Sequence, residues 1–266
     1  MAENEALHFK DHAQTQAQGK EILQTQTPHD VENLRALPGI APLKPEEWLL
    51  SDEAFTAQMA ERERLLQTRR EDVLALLPEG RAAAEELLEH VLGWLRINGQ
   101  GYQISGSSVK RPDGVVVDVY PDDPLGSLGR IVQDDFCLLQ KQGDEHVLTG
   151  AVLCFPASWR LSDKIGRPLI GIHARVQEYD DQVARRVQRL FDGVQVGRPL
   201  WRFNRLYYSD PSLFQPVSRQ TPSEELSADY PYLRTERQCV LRLPKTQACV
   251  FSIHTYVMKR GDTSEN

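Results

Sequence analysis

The 266-residue sequence has no CxxC pair, no glycine-rich phosphate loop, no block of consecutive basic residues, and no apolar run near the roughly 20 residues that span a bilayer. Each absence removes a class of function. Without CxxC spacing, Cys137, Cys154, Cys239 and Cys249 fit neither a disulfide framework nor a zinc or iron–sulfur site. Their apolar contexts (FCLL, LCFP, QCVL, ACVF) read as buried free thiols on strands. A net charge of −7 with no basic block argues against affinity built on phosphate neutralisation, so no nucleic-acid partner is expected. The lack of an apolar span, together with a polar opening from Met1 to Lys20, leads to the expectation of a cytoplasmic protein with no membrane contact.

What is present is ordinary globular material, 40% hydrophobic and 26% charged. Residues 1–43, rich in Gln, Thr and Ala and then punctuated by Pro, read as a mobile N-terminal arm, and residues 44–260 as one domain. His8 and His12 have helical spacing, but in so polar a stretch they read as a solvated tail. Helical periodicity begins at Pro45, with Asp52 as N-cap and Phe55, Met59, Leu65 and Leu66 on one face. After Gly80, the positions Ala84, Leu87, Leu88, Val91, Leu92 and Leu95 form an apolar stripe that must face a core. Beyond Gly99 the chain turns β-rich, with strands expected at 115–120 and 147–155 and one helix from Asp180 to Phe191. Residues 232–243 and 248–257, separated by the polar link PKTQ, predict an antiparallel hairpin. Helices followed by strands without regular alternation give an α+β class.

Candidate chemistry gathers on the strands. Alternation along 232–243 puts Leu233, Thr235, Arg237, Cys239 and Leu241 on one face, and Arg234, Glu236, Gln238 and Val240 on the other. A guanidinium on the apolar-rich face must be paired, so Arg237 is expected to meet a structural carboxylate or to line a polar pocket. In WRFN, Trp201 and Phe203 alternate with Arg202 and Asn204, giving one aromatic and one polar face. His173 follows an apolar run, and His254 on the last strand is its main competitor as a ligand. His90 reads as a helix-end residue and His146 as exposed beside a turn. These residues alone define neither a nucleophile–base pair nor a metal set.

The blocks KPEEWLLSDEAF, IVQDDFCLL, LTGAVLCFPASWRLSDKIGRPLIGIH, VQRLFDGVQVGRPLWRFN, DPSLFQP and YLRTERQCVLRLPKTQACVFSIHTYV span residues 44–257 in order. They resemble the haem-dependent oxidative N-demethylase-like family. The resemblance implies a PAS-like curved antiparallel sheet with flanking helices holding haem b. It also implies a monooxygenase subunit that oxidises a small secondary amine such as dimethylamine with O2. Electrons from NADPH would arrive through partner subunits carrying FMN, a [2Fe–2S] cluster and a folate site. His173, in the family's Ile-His block, becomes the expected iron ligand, although Ala174 to Gln177 replace the Pro-Val-Pro-like continuation common in the family. The expected cofactor-binding set is His173, Arg234, Asn204 and Trp201, and the expected catalytic set is Glu236, Arg237 and Arg202, with Glu236 receiving a protonated amine. A PAS-like haem sensor of gas or redox state, or a haem-free binding module, is the rival reading, because a fold alone does not make an enzyme.

Overall fold

The structure, a computed structural model, describes residues 21–36, 38–172, 181–217, 227 and 229–261. His8, His12, His173 and the Ala174–Gln177 segment lie outside the described residues. The helices are α1 (Phe55–Thr68), α2 (Arg70–Val73), α3 (Arg81–Asn98), α4 (Pro124–Ile131), α5 (Leu169–Ile172) and α6 (Asp181–Gly193). The strands are β1 (Ala41–Pro42), β2 (Leu74–Leu76), β3 (Gln103–Ser105), β4 (Ser108–Lys110), β5 (Val116–Asp118), β6 (Asp135–Gln142), β7 (Glu145–Val152), β8 (Leu200–Phe203), β9 (Leu206–Tyr208), β10 (Tyr232–Arg242) and β11 (Cys249–Lys259). The class is α+β, as the sequence suggested.

The main sheet runs β1-β8-β10-β11-β6-β7-β2, with β9 also on β10, and β3-β4-β5 form a small second sheet. All pairings within these strands are antiparallel. The hairpin β10–β11 is its spine, continuous from Tyr232 opposite Lys259 to Arg242 opposite Cys249. Its turn is capped by a helix: the Glu86 carboxylate of α3 accepts from the N–H groups of Lys245 and Thr246 at 2.6 and 2.7 Å. The four thiols are free and buried, and burial pushes Cys137, Cys154 and Cys239 up to about 12 and Cys249 to about 11.

Alternation gives the sheet two faces and two cores. On one, Phe136, Leu138, Cys239, Leu241 and Val250 pack with residues of α1, α3 and α4, including the Leu87–Val91–Leu95 stripe. On the other, Cys137, Leu139, Leu153, Val240 and Ile253 pack with Leu169 of α5 and Phe191 of α6. The sequence reading had no counterpart to α4, which starts at an Asp123 N-cap with Pro124 at its first position. Its Gly129 is required by proximity, because a Cβ there would lie 2.8 Å from Val152 Cγ2 and 3.0 Å from Leu66 Cδ1.

The described part of the N-terminal segment is docked rather than a mobile arm. β6 pairs with β11 only as far as Ile253, and Gln24 takes over the strand edge beyond it. Gln24 N–H donates to Val257 O at 2.8 Å, Val257 N–H donates to Gln24 Oε1 at 2.9 Å, and Gln24 Nε2 reaches Thr255 O at 3.1 Å. A glutamine therefore supplies the ladder bonds that a buried strand edge must find. The segment then crosses the sheet, with His29 stacked 4.3 Å from the Phe203 ring, and ends as β1 on the β8 edge.

Buried charges tie these layers together. Arg62 of α1 is fully buried and donates to Asp135 Oδ1 at 2.6 Å and to the carbonyls of Gly129, Gln133 and Asp134. Asp135 also accepts from the N–H groups of Cys154 and Phe155, both at 2.8 Å. Next to it, His254 Nδ1 meets Asp134 Oδ2 at 3.2 Å and Nε2 meets Asp52 Oδ2 at 3.0 Å. Burial would lower the His254 pKa, but hydrogen bonds and charge from Asp134 and Asp52 outweigh it and raise it from 6.5 to about 9. Burial likewise pushes Asp52 up, and the hydrogen bond and charge from His254 reverse this to about 2.

Two outcomes are expected. Asp135→Ala leaves Arg62 without its carboxylate and two buried N–H groups without an acceptor, and should cost about 3–5 kcal/mol in urea unfolding. Because the folded-state pKa of His254 lies above its unfolded value, its stabilisation is complete below pH 6.5 and is lost as pH rises through about 9. Thermal melts should show that alkaline limb, worth at most about 3 kcal/mol, and His254→Gln should be less stable at pH 6.5 and lack the limb.

Candidate functional site

The register of β10 sorts the sequence candidates between the two faces. Phe203 lies opposite Arg237 and Trp201 opposite Cys239, whereas Arg202 lies opposite Gln238. Arg237 and Trp201 therefore share the face covered by α1 and α3. Arg237 donates to the carbonyls of Trp48 at 2.8 Å and Glu47 at 2.5 Å, with its guanidinium 5.6 Å from the Trp201 ring. Its partners are the carbonyls at the end of the short Pro45–Glu47 helical turn and Cys239 Sγ at 3.3 Å, and of the two expectations, a carboxylate or a polar pocket, no carboxylate is among them.

Glu236, Arg234, Arg202 and Gln238 share the face toward α5 and α6, and Asn204, just past β8, joins them. Asn204 clasps the neighbouring strand: its Nδ2 donates to Glu236 Oε2 at 2.9 Å, and its Oδ1 accepts the Glu236 N–H at 2.8 Å. Gln238 Nε2 adds a second bond to Oε2 at 3.0 Å. Arg234 is buried, donates to the carbonyls of Leu213 at 3.1 Å and Phe155 at 2.7 Å, and has Nη2 3.7 Å from Glu236 Oε1. Arg234 Nε and Thr255 Oγ1 are buried with no hydrogen-bond partner among the described residues. A carboxylate, a guanidinium and a hydroxyl thus stand at one end of an otherwise apolar bed of Cys137, Leu139, Leu153, Val240 and Ile253. Surface hollows beside Lys141, Asp192 and Arg242, and beside His90, Trp94 and Lys245, include none of these groups.

Thr255 was missed by sequence reading, although the signal was there. A hairpin closing through PKTQ already pairs position 236 with 255, and the structure has that register. Gln238 was placed on the correct face but not connected to Glu236.

The histidines separate clearly. His254 has both ring nitrogens on carboxylates and a raised pKa, so it has no lone pair to offer a metal. His29 bonds Thr235 Oγ1 at 3.0 Å, and burial with the charges of Arg237 and His254 lowers its pKa to about 4. His90 lies in the middle of α3, 5.5 Å from the Trp48 ring, rather than at a helix end. His146 is 1% exposed, not on the surface. Gln188 of α6 holds its Nδ1 at 2.9 Å, and it sits beyond the Arg242–Cys249 end of the sheet, away from Glu236. No cluster of three or more His, Cys, Asp or Glu suited to a metal occurs among the described residues. Ile172, the last described residue before His173, packs on the apolar bed of the α6 face. Among the described residues no helix is long and apolar enough to cross a membrane.

One family model matches residues 39–265, which takes in every strand and helix described above. The chain therefore belongs to the family described as haem-dependent oxidative N-demethylase, alpha subunit-like.

Proposed function

We propose that the chain is the haem-carrying subunit of a monooxygenase that removes a methyl group from a small secondary amine of the dimethylamine kind. The observation that carries this is Glu236, a buried carboxylate with Oε2 held by the amides of Asn204 and Gln238 and with Oε1, 3.7 Å from Arg234 Nη2, accepting no hydrogen bond among the described residues. Such a group attracts a small cation strongly where water is excluded. In the overall reaction one O2, two electrons and two protons convert dimethylamine into methylamine, formaldehyde and water. Haem b, when bound, supplies the iron that activates O2.

The donor set of the α6 face fits such a cofactor. Cys137, Leu139, Leu153, Val240 and Ile253 give that face an apolar lining, packed here against Leu169 and Phe191, and Arg202 and the unmatched Nε of Arg234 stand on the same face as the groups that would meet its carboxylates. His173 is the proposed iron ligand by its position in the sequence, and it lies outside the described residues. The antiparallel sheet with helices on both faces supports a PAS-like reading. Glu236 holds and orients the ammonium, Asn204 and Gln238 fix the carboxylate, and the apolar bed excludes water. Arg237 and Trp201 secure the helical layer on the opposite side. The sequence has no CxxC pair and no phosphate loop, and the family is named for an alpha subunit. Both support NADPH, FMN and a [2Fe–2S] cluster being handled by partner subunits.

Absorption spectra of haem-loaded protein test the reading. Wild-type protein should show a Soret band that shifts on titration with dimethylammonium, and a band indifferent to amines would contradict the proposal. Glu236→Gln should keep the band and need about ten- to a hundredfold more amine, the loss of one charge-assisted hydrogen bond. His173→Ala should lose haem, and full retention would move the ligand elsewhere.

A further inference from the structure

We infer that Thr255 is the second acceptor of the amine site, so that Glu236 and Thr255 together grip the two N–H donors of a secondary ammonium ion. This rests on the reading of Glu236 as the counter-ion of the amine. Thr255 lies directly opposite Glu236 in the β10–β11 register, on the same face. Side chains so paired have Cβ atoms about 4.5–5.5 Å apart, close enough to hold one small cation between them.

The hydrogen-bond inventory leaves two acceptors open. Glu236 Oε2 is occupied by the amides of Asn204 and Gln238. Among the described residues Oε1 is paired with Arg234 Nη2, at 3.7 Å, and that nitrogen already donates to Phe155 O at 2.7 Å. Thr255 is 1% exposed, and its hydroxyl has no partner among the described residues. Buried hydroxyls are seldom left unmatched, because the cost of desolvation is then uncompensated. A valine would fill the same space without that cost. A hydroxyl that accepts from a ligand accounts for the threonine.

The arrangement sets a preference by substitution at nitrogen. Alkylammonium ions, like lysine, are protonated at neutral pH. Dimethylammonium presents two N–H groups, one for each acceptor. Trimethylammonium presents one, which the carboxylate takes, and tetramethylammonium presents none. The site therefore selects dimethylammonium over its more methylated relatives by counting donors.

Calorimetric titration of the full-length haem-loaded protein with dimethyl-, trimethyl- and tetramethylammonium chloride tests this. Wild-type protein should bind dimethylammonium at least about tenfold more tightly than trimethylammonium. Thr255→Val should lose that tenfold for dimethylammonium and leave trimethylammonium unchanged, while Thr255→Ser should restore the preference. If wild-type protein binds dimethylammonium and Glu236→Gln weakens it about ten- to a hundredfold, but Thr255→Val keeps the full preference, the hydroxyl has no binding role and this inference is overturned alone. If wild-type protein binds none of the three ions, the reading of Glu236 falls as well.

Discussion

Burying the Arg62 guanidinium is costly unless each of its donors finds an acceptor, and the acceptors it finds come from several elements at once. Asp135 at the start of β6 gives the charge, while Gly129, Gln133 and Asp134 give carbonyls. Asp135 passes the constraint on to the N–H groups of Cys154 and Phe155 beyond β7. The two side chains before it extend the same knot. Gln133 bonds Asp52 and Gln58, and Asp134 bonds His254. One short turn thereby sets the position of α1, α4, β7, β11 and the N-terminal segment relative to one another. A missing partner would strand a charge rather than loosen a contact.

Strand alternation lets the same hairpin do two jobs. Toward α1 and α3, the charged residues of β10 and β11 are consumed by structure: Arg237 ends a helical turn and His254 sits between two carboxylates. Toward α6, Glu236 and Thr255 keep acceptor capacity unspent, and Asn204 and Gln238 hold the carboxylate rigid without neutralising it. Saturated charge on one side and unsaturated polarity on the other suits a sheet whose α6 face is proposed to bind an amine.

Local signals in the sequence carried the long elements. The stripe from Ala84 to Leu95, the helix before Phe191, the hairpin around PKTQ and the two faces of β10 all follow from periodicity over ten or more residues. Short or glycine-containing pieces gave no such signal: α4 holds Gly126 and Gly129, and β3, β4 and β5 are three residues each. Docking of residues 21–43 depends on Gln24 and His29 reaching strands more than 200 positions away, which composition reads only as polarity. The same separation hid His254, whose carboxylates stand 120 and 202 positions off. Arg237 was expected to meet a carboxylate or to line a polar pocket, and the backbone carbonyls it finds leave no trace in a sequence. Glu236 was legible from alternation, and Thr255 was legible only once the hairpin register was counted through.

A crystal structure of the haem-loaded protein with dimethylammonium bound bears most directly on the account. The haem should lie against the face of β10 and β11 that α6 covers, with the ammonium nitrogen between Glu236 and Thr255. A haem bound on the α1–α3 face, or an amine that does not touch Glu236, would contradict it.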